Sequence, residues 1–207
     1  MEDLSIFYET DFSTSQRDLC PRCGLHVNIC ACHIVKEQYN NSIQIVILQD
    51  PREAKTKVNT VKLITNLFQN VQIYKRNLPE TLNRKIAANK ENYAVLYPSK
   101  VAKPIDSGDD ITFTKKYTTI IIVDGTWEQA KSVYNRNAIL SQIDNLILVN
   151  GEKYCRYKTV RKEIDGGMST FEATATTLSL ILNDPFLITE RDRIMDEFIT
   201  MRTRFFK

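Results

Sequence analysis

Four of the five cysteines in this chain fall within CPRCGLHVNICAC, as Cys20, Cys23, Cys30 and Cys32. Thiolates this close in sequence can converge on one tetrahedral zinc ion. In the Cys-Pro-x-Cys-Gly half, Gly24 can take the positive φ of a tight knuckle that aims both sulfurs at one point. The Cys-x-Cys half is less usual, and His33 or His26 could replace one ligand. With every position filled by protein the metal would be structural, and it would organise the first forty residues, which otherwise lack an apolar core.

A second chemistry-bearing stretch is IIIVDGTWEQAKSVY, residues 120–134, where an aliphatic run meets Asp124, Gly125, Thr126 and Trp127, the only tryptophan. Thr126 followed by Gln129 fits a capping box, and Gly125 permits a sharp turn after the strand, so both have structural reasons to be there. Asp124 and Trp127 do not. They are expected on opposite sides of one helix entrance, a carboxylate and a flat aromatic wall facing a crevice. A third stretch, YCRYKTVRKEIDGGMSTFEATATTL at 154–178, follows Lys153 and carries Arg156, Lys158, Arg161 and Lys162, then Gly166-Gly167, then Ser169 with Glu172 as a second capping box. Paired glycines let backbone approach a ligand, and a helix start offers N–H groups to an anion. Cys155, with no histidine nearby in sequence, reads as a packing residue. Two shorter segments, LQDPRE (Asp50 to Glu53) and LYPS (through Ser99), place proline-stiffened turns after apolar runs.

The elements that must position these residues follow from apolar spacing. Residues 43–48 (IQIVIL), 71–74, 93–96 (YAVL), 119–123 and 146–149 (LILV) read as about five strands. Val61, Ile64 and Phe68 mark a helix face between the first two. Strands alternating with helical or irregular connections predict an α/β fold with a largely parallel sheet covered on both faces. Two helices close the chain, one from near Ser169 with Phe171, Ala175, Leu178 and Leu182 inward, one after Pro185 with Ile194, Phe198, Met201 and Phe205 inward. SGDD at 107–110 reads as a loop.

With 28 bases against 25 acids the net charge of +3 demands no polyanionic partner by itself. No apolar run approaches the length of a membrane span. The first eighteen residues hold Glu2, Asp3, Glu9, Asp11 and Asp18 against Arg17 alone, unlike a signal or transit peptide. The expectation is a cytoplasmic chain with reduced thiols.

In order along the chain, the cysteine cluster, DPRE with the later Asn59-Thr60, LYPS, DGTW at 124–127 and RK…GGMSTFEA from Arg161 to Ala173 resemble the DTW-domain family of tRNA-uridine aminocarboxypropyltransferases. The family's first motif is usually His-Pro-x-Glu; here Asp50 stands where that histidine would be. The resemblance implies a zinc-binding segment over 1–40 and a catalytic domain over 41–207. The latter would be SPOUT-like, with a C-terminal trefoil knot holding S-adenosylmethionine. It implies transfer of the 3-amino-3-carboxypropyl group to N3 of a tRNA uridine, with release of methylthioadenosine. Asp124 and Trp127 would then be catalytic. Asp124 could serve as base, orient the base, or bind the cofactor's ammonium; Trp127 could pack under the site or stack on adenine or uracil. Thr126, Gly166, Gly167, Met168, Ser169, Thr170 and Glu172 would hold the cofactor. Arg52, Arg156, Lys158, Arg161 and Lys162 would hold RNA, with Arg191, Arg193, Arg202 and Arg204 as lesser candidates. The alternatives are a SPOUT-type RNA methyltransferase, which would release S-adenosylhomocysteine, and a non-catalytic zinc-containing RNA-binding protein. Either monomer or homodimer is compatible with the fold.

Overall fold

A computed structural model describes residues 19–22, 27, 30–56, 59–106, 111–149, 155–156 and 168–205. Cys23, Gly24, His26, Lys153, Lys158, Arg161, Lys162, Gly166, Gly167 and the 107–110 loop lie outside the described residues, as does the stretch 157–167 on which a knot would turn.

Six strands form one parallel sheet: β1 (Gln44–Gln49), β2 (Val71–Lys75), β3 (Tyr93–Leu96), β4 (Lys103–Ile105), β5 (Thr119–Asp124) and β6 (Asp144–Leu148), in the order β2-β1-β5-β3-β6-β4. The interior strands β1 and β5 are the most aliphatic stretches of the chain, as burial on both faces requires. Alternation divides their side chains. Ile45, Ile47, Ile120 and Ile122 face a core built with α1 (Val61–Leu67), α4 (Thr170–Leu182) and α5 (Phe186–Phe205). Val46, Leu48 and Ile121 face a second core with α2 (Glu80–Ala88) and α3 (Trp127–Arg136).

The α/β reading is therefore correct, with two elements beyond the expected set. β4 was hidden because it is three residues long and contains Pro104, which a sheet tolerates on an edge strand, where β4 sits. Helix α2 escaped because its inward stripe is only Leu82 and Ile86, one turn apart. Phe68 lies just past α1, not within it; it is buried edge-on to Tyr39 with ring centroids 6.0 Å apart.

At the start of β6, Asp144 accepts hydrogen bonds from Lys103 Nζ and Tyr117 Oη, each at 2.6 Å, and pairs with Lys116 at 3.0 Å. Burial works against this carboxylate's charge, but the Lys103, Tyr117 and Lys116 contacts outweigh it and bring its pKa down to about 2, from 3.8. A lowered folded-state pKa contributes stability above the unfolded value and loses it as pH falls through the folded one. Asp144→Asn is expected to cost about 2 kcal/mol at neutral pH. In urea titrations the gap from wild type should close between about pH 4 and pH 2; a gap independent of pH would show that charge is not what Asp144 contributes.

Candidate functional site

Adjacent strands β1 and β5 send their chains to opposite faces: α1 follows β1 into the first core and α3 follows β5 into the second. Such a divergence opens a crevice at the carboxyl ends of the strands, where open α/β sheets take ligands. Asp124, Gly125, Thr126 and Trp127 lie at this point, as does Asp50.

Asp124 is only 3% exposed. Its Oδ2 accepts from Gln49 Nε2 at 2.7 Å and from Asn59 Nδ2 at 3.2 Å, while Oδ1 accepts from Thr170 Oγ1 at 2.5 Å. One carboxylate thus holds the end of β1, the turn before α1, the end of β5 and the start of α4. Backbone bonds reinforce the same junction: Asp50 N–H donates to the Asp124 carbonyl and Phe171 N–H to Thr60 Oγ1. Gln49 was not among the sequence candidates, because nothing local marks it; it is the cross-strand partner of Asp124 in the register. Asn59 was legible only as part of a motif.

Gly125 has φ +155°, and a Cβ there would lie 2.9 Å from Gln129 Cβ. Gln129 is fixed because its Oε1 accepts the Thr126 N–H at 2.8 Å, the capping contact expected from the spacing. Glycine is needed so that the chain can pass this close to the first turn of α3. Trp127, the first residue of α3, is 56% exposed and does not pack beneath the site.

Asp50 is buried, and its carboxylate accepts from Arg52 N–H at 2.8 Å, from Arg52 Nε at 3.1 Å and, at 3.5 Å, from Arg52 Nη2. The Arg52 hydrogen bonds, with the charge of Arg76 behind them, hold the Asp50 carboxyl below its ordinary pKa against the effect of burial. The Arg52 side chain is otherwise open to solvent, so its guanidinium is fixed at the mouth of the crevice.

The second capping box also forms. Glu172 N–H donates to Ser169 Oγ at 3.2 Å and Ser169 N–H to Glu172 Oε2 at 2.9 Å. The other oxygen of Glu172 accepts the Arg156 N–H at 2.6 Å, so this buried carboxylate ties the basic segment to the start of α4. The Phe171 and Glu172 amides are taken by Thr60 and Ser169. Met168 beside them is half-buried, and Cys155 packs against the first core. The Arg156 guanidinium is held by Asp192 and Asp196 on α5. Of the lesser basic candidates, Arg191 and Arg202 are buried: Arg191 donates to Thr176 Oγ1, and Arg202, 1% exposed, lies over the Phe198 ring. Neither can meet a phosphate at the surface, because each is an inward position of α5 whose long stem fills the core. Arg193 pairs with Glu190 and Glu197.

Away from the crevice, the Sγ atoms of Cys20, Cys30 and Cys32 are buried and lie within 4.8 Å of one another. Cys20 and Cys32 are 3.9 Å apart, and Cys32 N–H points at Cys30 Sγ at 3.4 Å. Sulfurs around a common tetrahedral ion at about 2.3 Å would be separated by about this much, so the residues present fit a metal. His33 is exposed and outside the cluster. Ala31, Ile34 and Val35 anchor this segment in the first core, and the Ile34 carbonyl accepts from Arg193 Nη2.

Removing the fastening is expected to loosen the junction. Asp124→Ala, which strands three donors, should lower stability by about 2–4 kcal/mol in urea unfolding. Gly125→Ala should cost about 1–3 kcal/mol. An unchanged midpoint for Asp124→Ala would deny the carboxylate its structural part.

Against known proteins, the chain is similar to tRNA-uridine aminocarboxypropyltransferase 2 of Drosophila melanogaster, 26% identical over 180 residues that cover 84% of this chain and 70% of that protein. Similarity to the Macaca fascicularis protein of the same name is 25% over 182 residues, 83% of this chain and 59% of that one. With tRNA-uridine aminocarboxypropyltransferase A of Arabidopsis thaliana it is 22% over 222 residues, 93% of this chain and 83% of that protein. No solved structure matches. The DTW domain matches residues 17–206, which take in the cysteine cluster, every strand and helix described above and the Asp124 junction, so the chain belongs to the DTW domain family.

Proposed function

We propose that this protein is a tRNA-uridine aminocarboxypropyltransferase acting in the cytoplasm, with S-adenosylmethionine as donor and N3 of a uridine as acceptor. What carries the reading is that the DTW match runs through the switch point of the sheet, where Asp124 ends β5, Trp127 begins the helix after it and Arg52 follows the end of β1. It is supported by the names of the similar proteins.

In this reaction the bond between the sulfonium sulfur and the terminal carbon of the aminocarboxypropyl group breaks as that carbon bonds to N3. The electron pair stays on sulfur, leaving neutral methylthioadenosine, and the N3 proton passes to a base or to water. Since the leaving group is already good, most of the catalysis is placement. Asp124, with three donors on its carboxylate, serves by fixing the crevice in which N3 and the carbon meet, rather than by taking the proton itself. Thr126, Met168, Ser169, Thr170 and the Gly166–Gly167 backbone form the donor's side in a SPOUT-like knot. Glu172 supports them by holding the 155–156 backbone. Arg52, pinned by Asp50, meets a phosphate, with Arg156, Lys158, Arg161 and Lys162 extending the basic side.

The segment 1–40 would be a zinc module, with Cys23 completing the set formed by Cys20, Cys30 and Cys32. Such an ion contributes fold stability. Elemental analysis should find about one zinc per chain. Cys30→Ser and Cys32→Ser should lose it and lower the thermal midpoint; full metal loading in both variants would place the ion elsewhere.

The reaction itself is tested by incubating the protein with S-adenosylmethionine and unmodified total tRNA and identifying the nucleoside by-product by mass spectrometry. Methylthioadenosine that depends on added tRNA is expected. S-adenosylhomocysteine would make the protein a methyltransferase, and neither product would leave an RNA-binding module.

A further inference from the structure

We propose that one edge of α3, together with Tyr97, is a stacking strip for unpaired nucleotides of the RNA substrate. The proposal rests on the reading that RNA is the acceptor. The inward stripe of α3 is Ala130 and Val133. At 100° per residue, Trp127 and Tyr134 point within about 20° of each other beside that stripe, and Lys131 lies between them along the same edge. Lys131 is exposed. Trp127 and Tyr134 are about 10 Å apart along the helix axis, the rise of roughly three stacked bases.

The Tyr134 ring stacks on that of Tyr97, the residue following β3, with centroids 4.0 Å apart and planes 11° from parallel. Tyr134 Oη donates to Asn145 Oδ1 at 2.8 Å. Asn145 is buried and in turn donates to the Leu140 and Ile143 carbonyls at 3.0 and 2.9 Å. The half-buried tyrosine pair is therefore held in one orientation and has little rotamer freedom to lose when a base arrives. Packing alone would account for the tyrosines, but not for an indole more than half exposed at the entrance to the same edge, next to the Asp124 crevice. Lys131 is the cation of this edge, with Glu128 exposed one turn before it; aromatic faces beside a lysine are what sequence-tolerant binding of single-stranded RNA uses, bases stacking on the rings while the lysine meets a phosphate.

The test is fluorescence anisotropy of a labelled single-stranded uridine-containing decamer, and of unmodified tRNA, with the full chain at several salt concentrations. Trp127→Ala and Tyr134→Leu are each expected to weaken binding about tenfold without changing the salt slope. Lys131→Ala should reduce that slope by about 0.7. Tyr134→Phe keeps the ring while releasing it from Asn145, and should weaken binding less than Tyr134→Leu. Should Tyr134→Leu fail to fold, quenching of the single tryptophan's emission by the decamer decides, since Trp127 is at the surface. Wild-type affinity in folded Trp127→Ala and Tyr134→Leu, or, where Tyr134→Leu does not fold, wild-type affinity in Trp127→Ala with no quenching in the wild type, overturns the strip. Methylthioadenosine release with an unchanged tRNA KM in those variants would sink the strip and leave the reaction standing. RNA binding through the strip with no methylthioadenosine would do the reverse.

Discussion

The Asp124 carboxylate is the constraint around which the other parts of the site are arranged. A buried charge persists only if donors replace the water it has lost, and here the donors come from three separate stretches of chain: Gln49, Asn59 and Thr170. Gln49 ends β1, Asn59 lies in the turn before α1 and Thr170 begins α4. Satisfying one carboxylate therefore fixes the carboxyl end of β1, the entry to α1 and the entry to α4 against the end of β5. The crevice inherits its shape from that convergence, because β1 and β5 are neighbours whose chains depart to opposite faces.

The same economy recurs at two smaller carboxylates. Asp50 binds the backbone and side chain of Arg52, which converts a long, mobile cation into one with a defined position. Glu172 caps its own helix and holds the Arg156 amide, so the residue that begins α4 also secures the basic segment. In all three cases a carboxylate near the ends of the strands is occupied by protein donors. Around them Arg52, Trp127 and the acidic Glu128 face solvent, with the charge of Glu128 felt at the Arg52 guanidinium.

The described residues of the cysteine segment pack against this domain. Ala31, Ile34 and Val35 enter the core beneath α1 and α5, Arg193 on α5 binds the Ile34 carbonyl, and Tyr39 donates to Asp184 at 2.6 Å, just before α5. Burial, the Asp184 hydrogen bond and its charge together push the Tyr39 phenol up to about 12, so it stays a donor throughout the neutral range. A metal that orders the cysteines would thereby also steady the last helix.

Local pattern was enough for much of this. The aliphatic runs gave the central strands to within a residue or two, since strands buried on both faces need continuous apolar sequence. The Thr126–Gln129 and Ser169–Glu172 spacings announced two helix starts, since a capping box is closed within four residues. The cysteine spacing marked a thiol cluster that could hold a metal, since its members lie within one short segment. Elements whose stability comes from neighbours were invisible: β4 exists because β6 pairs with it, and α2 because Leu82 and Ile86 find the second core. The sequence also singled out Asp124 and Trp127 without separating their circumstances. Only tertiary structure decided that the carboxylate is enclosed by three donors while the indole beside it stands in solvent, and that Tyr97 and Tyr134 meet. Hydrogen bonds and ring contacts between residues 37 to 75 positions apart depend on strand order, which no local spacing encodes.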